Sequence, residues 1–261
     1  MNLIKIEFRK LIYYPAFWVL GISYFVLMGI VIKGLNSFKM QINSGGVNAQ
    51  NNSVDFGSMG IFNFPDVWQV IAYMAGFFFI IPAILTIITV CNEYEFRTFR
   101  QNLIDGLTRG EWMASKIIAL LVISTISTVF VLVLVLVLGY SNAVDTNATI
   151  VWQKSNLIVV YFIQILGYLS FAFMLANLLK RAAITIGVFL LYVYALEPVI
   201  TYYINFDLPM YHIRSMIAPP INKLINQDLN MIVEPQVIAL ALLYTATFMS
   251  ITFFVVQRRD A

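Results

Sequence analysis

Few side chains in this chain could do chemistry. Its 261 residues hold 16 Lys and Arg, 13 Asp and Glu, one His and one Cys. His212 lies far in sequence from Cys91, so neither a zinc cluster nor a histidine-based triad assembles within one chain. No G-x-x-x-x-G-K-[ST] stretch is present, and with it no phosphate cradle. The sequence therefore predicts no catalytic residue, no metal site and no cofactor held by this chain. A lone Cys also makes no internal disulfide.

Charge gathers instead in residues 92–112, which include Glu93-Tyr94-Glu95-Phe96-Arg97-Thr98 and end in Asp105-Gly106-Leu107-Thr108-Arg109-Gly110-Glu111-Trp112. On a helix, Phe96, Phe99 and Leu103 fall near one face with Arg97 and Arg100 beside them. Asp105-Gly106 supplies a stop, since Gly reaches positive φ without strain. Thr108 and Glu111 have capping-box spacing, which starts the next helix there. The pattern predicts a short charged helix and a tight turn, able to pass force to a docked partner. A well-capped connecting loop has the same spacing.

One further ionisable group stands apart. Glu197 is the acidic side chain inside an apolar run, where an unpaired carboxylate costs several kcal/mol. One reading puts it on a translocation path with Thr185, Tyr192 and Tyr194. The other puts it at the outer headgroup boundary, which a helix starting at Ala182 reaches by that residue.

The elements that hold these groups follow from composition. The chain is 61% hydrophobic and 11% charged, with a mean hydropathy of +0.84, whereas soluble domains carry about 25% charged residues. Its net charge is +3 and its pI about 8.9. The cations, however, sit at the ends of apolar runs and form no basic face for nucleic acid.

A bilayer core about 30 Å thick takes roughly 20 apolar helical residues. Six runs qualify: Ala16 to Ile32, Val67 to Val90, Ala114 to Leu138, Leu157 to Leu179, Ala182 to Ile204 and Pro235 to Val256. The fold class is thus all-α integral membrane, a single domain over 1–261 whose spans pack by small residues such as Ser124, Thr125, Ser127 and Thr128. The fifth run is interrupted by Glu197-Pro198 and is expected to end early, kink or unwind. The first run is too long for a signal-peptide core and lacks a cleavage site after it, so it is retained.

Lys and Arg resist translocation. Lys5, Arg9, Lys10, Arg97, Arg100, Arg109, Lys116, Lys180, Arg181, Arg258 and Arg259 lie on one side, in short segments. Lys33, Lys39, Lys154, Arg214 and Lys223 are spread over long loops on the other. Both termini are therefore expected in the cytoplasm of a cell (inner or plasma) membrane. The outer segments 36–64 and 141–155 read as polar connections without a core, with glycosylation-like Asn51-Asn52-Ser53 and Asn147-Ala148-Thr149. Residues 206–234 read as small helices at the outer interface or a plain loop. Residues 1–14 form an amphipathic pattern, Met1, Ile4, Phe8, Leu11 and Ile12 against Asn2, Lys5 and Arg9, that suits a helix lying on membrane lipids or an ordinary basic anchor.

With its acidic start, Arg97-Thr98, Asp105 to Arg109 and Lys116, together with the N-terminal amphipathic helix and six spans, the chain resembles the ABC-2 permease family, the membrane subunits of ATP-binding-cassette exporters. In that family a Gly-Thr pair often follows the Glu, and here Arg97 stands at the Gly position. The resemblance implies two paired permease subunits, most simply a homodimer, with the second and fifth spans lining the path. It also implies two separate ABC ATPase subunits, which bind ATP and Mg and dock on the cytoplasmic segment and the N-terminal helix. The residues it assigns to that coupling are Glu93, Arg97, Arg100, Asp105, Arg109, Lys5 and Arg9. A secondary transporter or channel, or a sensor or scaffold, are the other readings; the first would carry more intramembrane ionisable groups than Glu197.

Overall fold

The computed structural model describes residues 13–36, 39–42, 52–55, 62–143, 147–204, 206–217 and 235–258. The expected helix over 1–14, with Lys5 and Arg9, lies outside them apart from its last two residues, as do Asn51 of the first glycosylation-like site and residues 218–234.

Six helices are long and apolar enough to cross a membrane. Span one is α1 (Pro15–Asn36). Span two is α2 (Val67–Ala75), a 3-10 turn (Gly76–Phe79) and α3 (Ile80–Glu95). Between spans two and three sits α4 (Thr98–Ile104). Span three is α5 (Arg109–Asn142), followed by the short α6 (Ala148–Val151). Span four is α7 (Leu157–Leu179). Span five is α8 (Ala182–Leu191), a π turn (Tyr192–Leu196) and α9 (Glu197–Ile204). After α10 (Pro209–Ser215), span six is α11 (Pro235–Arg258). A two-stranded antiparallel ribbon, β1 (Lys39–Ile42) and β2 (Asn52–Asp55), pairs Lys39 with Asp55 and Ile42 with Asn52.

α7 is the central post: 78% of its most apolar window is buried, against 17% for α1 and 22% for spans five and six. α5 is 34 residues long, about 51 Å at 1.5 Å per residue, so it overruns a 30 Å core. Its start at Arg109 comes from the capping box, since Thr108 Oγ1 accepts from Glu111 N–H while Glu111 Oε2 accepts from Thr108 N–H at 2.9 Å.

Spans two and five both leave α geometry just before a proline. A proline has no N–H to give, and its ring crowds the carbonyl four residues back. Pro82 follows the 3-10 turn and Pro198 follows the π turn. The two irregular turns meet in space, because the Phe79 ring stacks on Tyr168 at 3.8 Å and runs nearly parallel to Tyr194 at 6.1 Å. Span five therefore neither ends early nor unwinds; it reaches Ile204 by widening one turn.

Polar side chains inside the bundle pair between spans, as lipid demands. Tyr24, Ser127 and Tyr161 join their hydroxyls into one triangle across spans one, three and four; Tyr161 is 3.0 Å from each of the other two. Thr125 and Thr128 each bond a carbonyl one turn back.

The connections at the end of the bundle away from α4 carry more core than the sequence suggests. Phe62 and Phe64 are buried, and a Cβ on Gly139 would fall 2.3 Å from Phe64, so only glycine admits that ring. Residues 147–155 are pinned by Trp68 Nε1 donating to the Val151 carbonyl at 2.7 Å and by Lys154 pairing with Asp66 at 2.8 Å. α10 buries Met210, His212 and Ile213 against the bundle.

Candidate functional site

The end of the bundle that carries α4 is built around Glu93. This carboxylate is buried in the last turn of span two; Oε1 meets Lys116 Nζ at 2.7 Å and Oε2 accepts from Trp112 Nε1 at 2.7 Å. Burying an ion pair is tolerable only when its remaining hydrogen-bond capacity is used, and the indole supplies that bond. Phe99 of α4 then wedges between Tyr94 (5.2 Å) and Trp112 (4.9 Å, edge to face). The base of α4 is thus fixed to spans two and three by an ion pair and an aromatic cluster.

The outward face of α4 is different. Arg97, Arg100 and Asp105 are exposed, along with Ile104 at 82% and Phe96 at 72%. Phe96 does not share the Phe99–Leu103 face that the sequence pattern predicts, because the chain reverses between them. Arg97 adopts φ 56°, ψ 16°, the left-handed conformation that the family's glycine would supply. For a side-chain-bearing residue this costs roughly 1–2 kcal/mol. Thr98 Oγ1 closes the corner by donating to the Glu93 carbonyl at 3.3 Å, and Gly106, at φ 96°, makes the turn out of α4.

The seven residues assigned to coupling by resemblance therefore fall into three groups. Arg97, Arg100 and Asp105 face outward on or beside α4. Glu93 and Arg109 face inward, the latter donating to the Val256 and Gln257 carbonyls at the end of span six. Lys5 and Arg9 lie outside the described residues. Tyr14 marks where that N-terminal segment arrives, since its hydroxyl accepts from Asn92 Nδ2 at 2.7 Å. Sequence reading did not find Trp112, Phe99 or Tyr14 as the joint; the signal was the aromatic spacing around an acidic helix end.

At the opposite end Glu197 is buried, and Oε1 accepts the Met210 N–H at 2.7 Å. It binds the first turn of α10. Tyr192 packs its ring on Phe171 at 5.0 Å. Thr185 is not close to either: it sits one turn from the start of span five, donates to the Arg181 carbonyl at 2.8 Å and contacts Cys91 Sγ at 3.7 Å. Twelve residues of helix, about 18 Å, separate it from Glu197. Buried Tyr168 Oη and Thr201 Oγ1 have no hydrogen-bond partner among the described residues. Among those residues no three His, Cys, Asp or Glu side chains converge as metal ligands would.

Six spans and a short helix braced outside them are the architecture of a multi-pass membrane transport subunit. The family model for ABC-2 family transporter proteins matches residues 1–261. The chain belongs to that family: it is the membrane permease subunit of an ABC transporter, a type of subunit that works with ABC ATPases and is not itself the catalytic one. No curated protein matches it.

Proposed function

We propose that this permease is half of an ATP-driven exporter, in which two copies form the path and two separate ATPase subunits bind ATP and Mg. In this reading the α4 end and both termini are cytoplasmic, in the cell membrane. The ATPase grips α4 through Arg97, Arg100 and Asp105, aided by Lys5 and Arg9. Glu93 and Arg109 act from behind, keeping α4 rigid against spans two, three and six.

The observation that carries this reading is the contrast within α4, a buried and paired base under an exposed, charged outer face. A loop that merely connects two spans needs no such base. Force on α4 reaches span two through Glu93 and Phe99, and span two meets span five at the two irregular turns. Tyr192 and Glu197 then belong to the moving wall of the path, and Thr185 to its packing.

The test is an Arg100→Glu, Asp105→Lys pair of variants in proteoliposomes with the ATPase subunit. Insertion is expected to remain normal while substrate-coupled ATP hydrolysis falls by about tenfold, the equivalent of one lost charge-assisted contact. Wild-type complex formation and ATPase stimulation in both variants would end the proposal.

A further inference from the structure

We propose that a cavity beside α4 binds a phosphate-bearing anion. The cavity has a volume of about 520 Å³, and Arg97, Arg100, Lys180 and Arg181 all line it. A site of this size suits a small ligand or a lipid headgroup. Of its acidic lining, Glu93 is paired with Lys116, and Glu95, whose Oε1 accepts from the Ala182 N–H at 3.3 Å, sets one carboxylate against the four cations. Arg97, Arg100 and Arg181 form no ion pair with a described residue.

The preceding helices account for part of this placement, since Lys180 is the C-cap of α7 and Arg97 follows Phe96, the C-cap of α3. Cations normally stabilise helix C-termini, and carboxylates N-termini. Arg181 is instead the N-cap residue of α8, while Arg97 and Arg100 stand at the N-cap and in the first turn of α4. Arg181 there adds positive charge at the N-terminal end of a ten-residue helix. Arg97 and Lys180 are also the two non-glycine residues of positive φ among the described residues, at 56° and 59°. Glycine would relieve that backbone cost at both, yet both keep a cation facing the same space.

Guanidinium groups bind phosphate oxygens in pairs, and several around one cavity match a multiply bonded oxyanion better than a single carboxylate. Phe99, Leu179 and Val256 supply apolar wall beside the charge. The turn between α7 and α8 has only Lys180 and Arg181, so the cavity lies at the depth where spans end and headgroups begin. Anionic phospholipid and soluble phosphate share this chemistry. The inference holds whether or not the subunit exports.

Native mass spectrometry of the full chain in detergent, with equal phosphatidylglycerol and phosphatidylcholine, tests the lipid source. Thermal unfolding with inorganic pyrophosphate at matched ionic strength tests the soluble one. Expected is preferential retention of phosphatidylglycerol, reduced by about tenfold in R181Q, largely kept in R181K and unchanged in K33Q, whose cation is at the other end of span one. K180Q serves if R181Q does not fold. Stabilisation by pyrophosphate that R181Q or K180Q abolishes, without lipid preference, supports the site with a soluble ligand. If neither probe depends on Arg181 or Lys180, or if K33Q weakens binding as much as R181Q, the proposal is overturned.

Discussion

Two seven-residue helices close the two ends of this bundle, α4 and α10, and each is held by a buried glutamate. Glu93 faces a cation and an indole; Glu197 faces a backbone N–H at the start of a helix whose Arg214 lies at its far end. α4 buries Phe99 alone as a fully covered side chain and leaves its charges outside. α10 turns Met210, His212 and Ile213 inward, and a Cβ on Gly167 of α7 would stand 2.8 Å from Ile213 Cδ1, so the two helices approach across that glycine. The difference teaches that one end is braced for presentation and the other is packed for closure. An ion pair and an indole hydrogen bond hold the base of α4, while α10 is held by hydrogen bonds to Glu197, Gln164 and Val237 over apolar packing.

The largest effect that would break this contrast is at Glu93. Glu93→Ala leaves Lys116 buried without its partner and is expected to cost about 3–5 kcal/mol, read as a fall in unfolding temperature in detergent; adding Lys116→Met should restore most of it. Recovery failing in the double variant would show that the pair is not the brace. A smaller effect is expected at the other end. Glu197→Ala removes the acceptor of the Met210 N–H, about 1–3 kcal/mol, and frees α10; a Met210→Cys reporter, shielded in the parent, should then label with a maleimide, and unchanged labelling would put the closure elsewhere. The smallest is at the corner of α4. Arg97→Gly relieves a left-handed residue and should stabilise the fold by about 1 kcal/mol while weakening the ATPase complex. A destabilised fold in that variant would mean that the arginine side chain itself supports the corner.

The spans were legible in the sequence because lipid imposes one simple requirement, a long apolar run, and Val129 to Leu138 meets it without ambiguity. The start of α5 was legible too, since Thr108 and Glu111 interact across three residues and capping is local. What pairs across the chain was not. Glu93 meets Lys116 from another helix, and nothing in its neighbours distinguishes it from an outward-facing Glu such as Glu95. Glu197 and Pro198 announced a disturbance, but a kink, an early stop and a π turn share that signature; the stacking of Phe79 and Tyr194 selects among them. Lys180 and Arg181 read only as topology signals, because a left-handed backbone at a lysine leaves no trace in residue type. At Arg97 the sequence shows only a departure from the family's glycine, and the left-handed corner itself comes from the structure.

The hydroxyl triangle of Tyr24, Ser127 and Tyr161 has a consequence for biogenesis. Span one leaves the ribosome before either of its hydroxyl partners exists, and its other buried side chains, Met28 and Ile32, are apolar enough to rest in lipid alone. Span one is therefore expected to gain its last polar contact only after later spans are in place. Its seat against spans two and three is completed only when the fourth has been inserted, so that a chain truncated before Tyr161 should leave the Tyr24 hydroxyl with Ser127 alone.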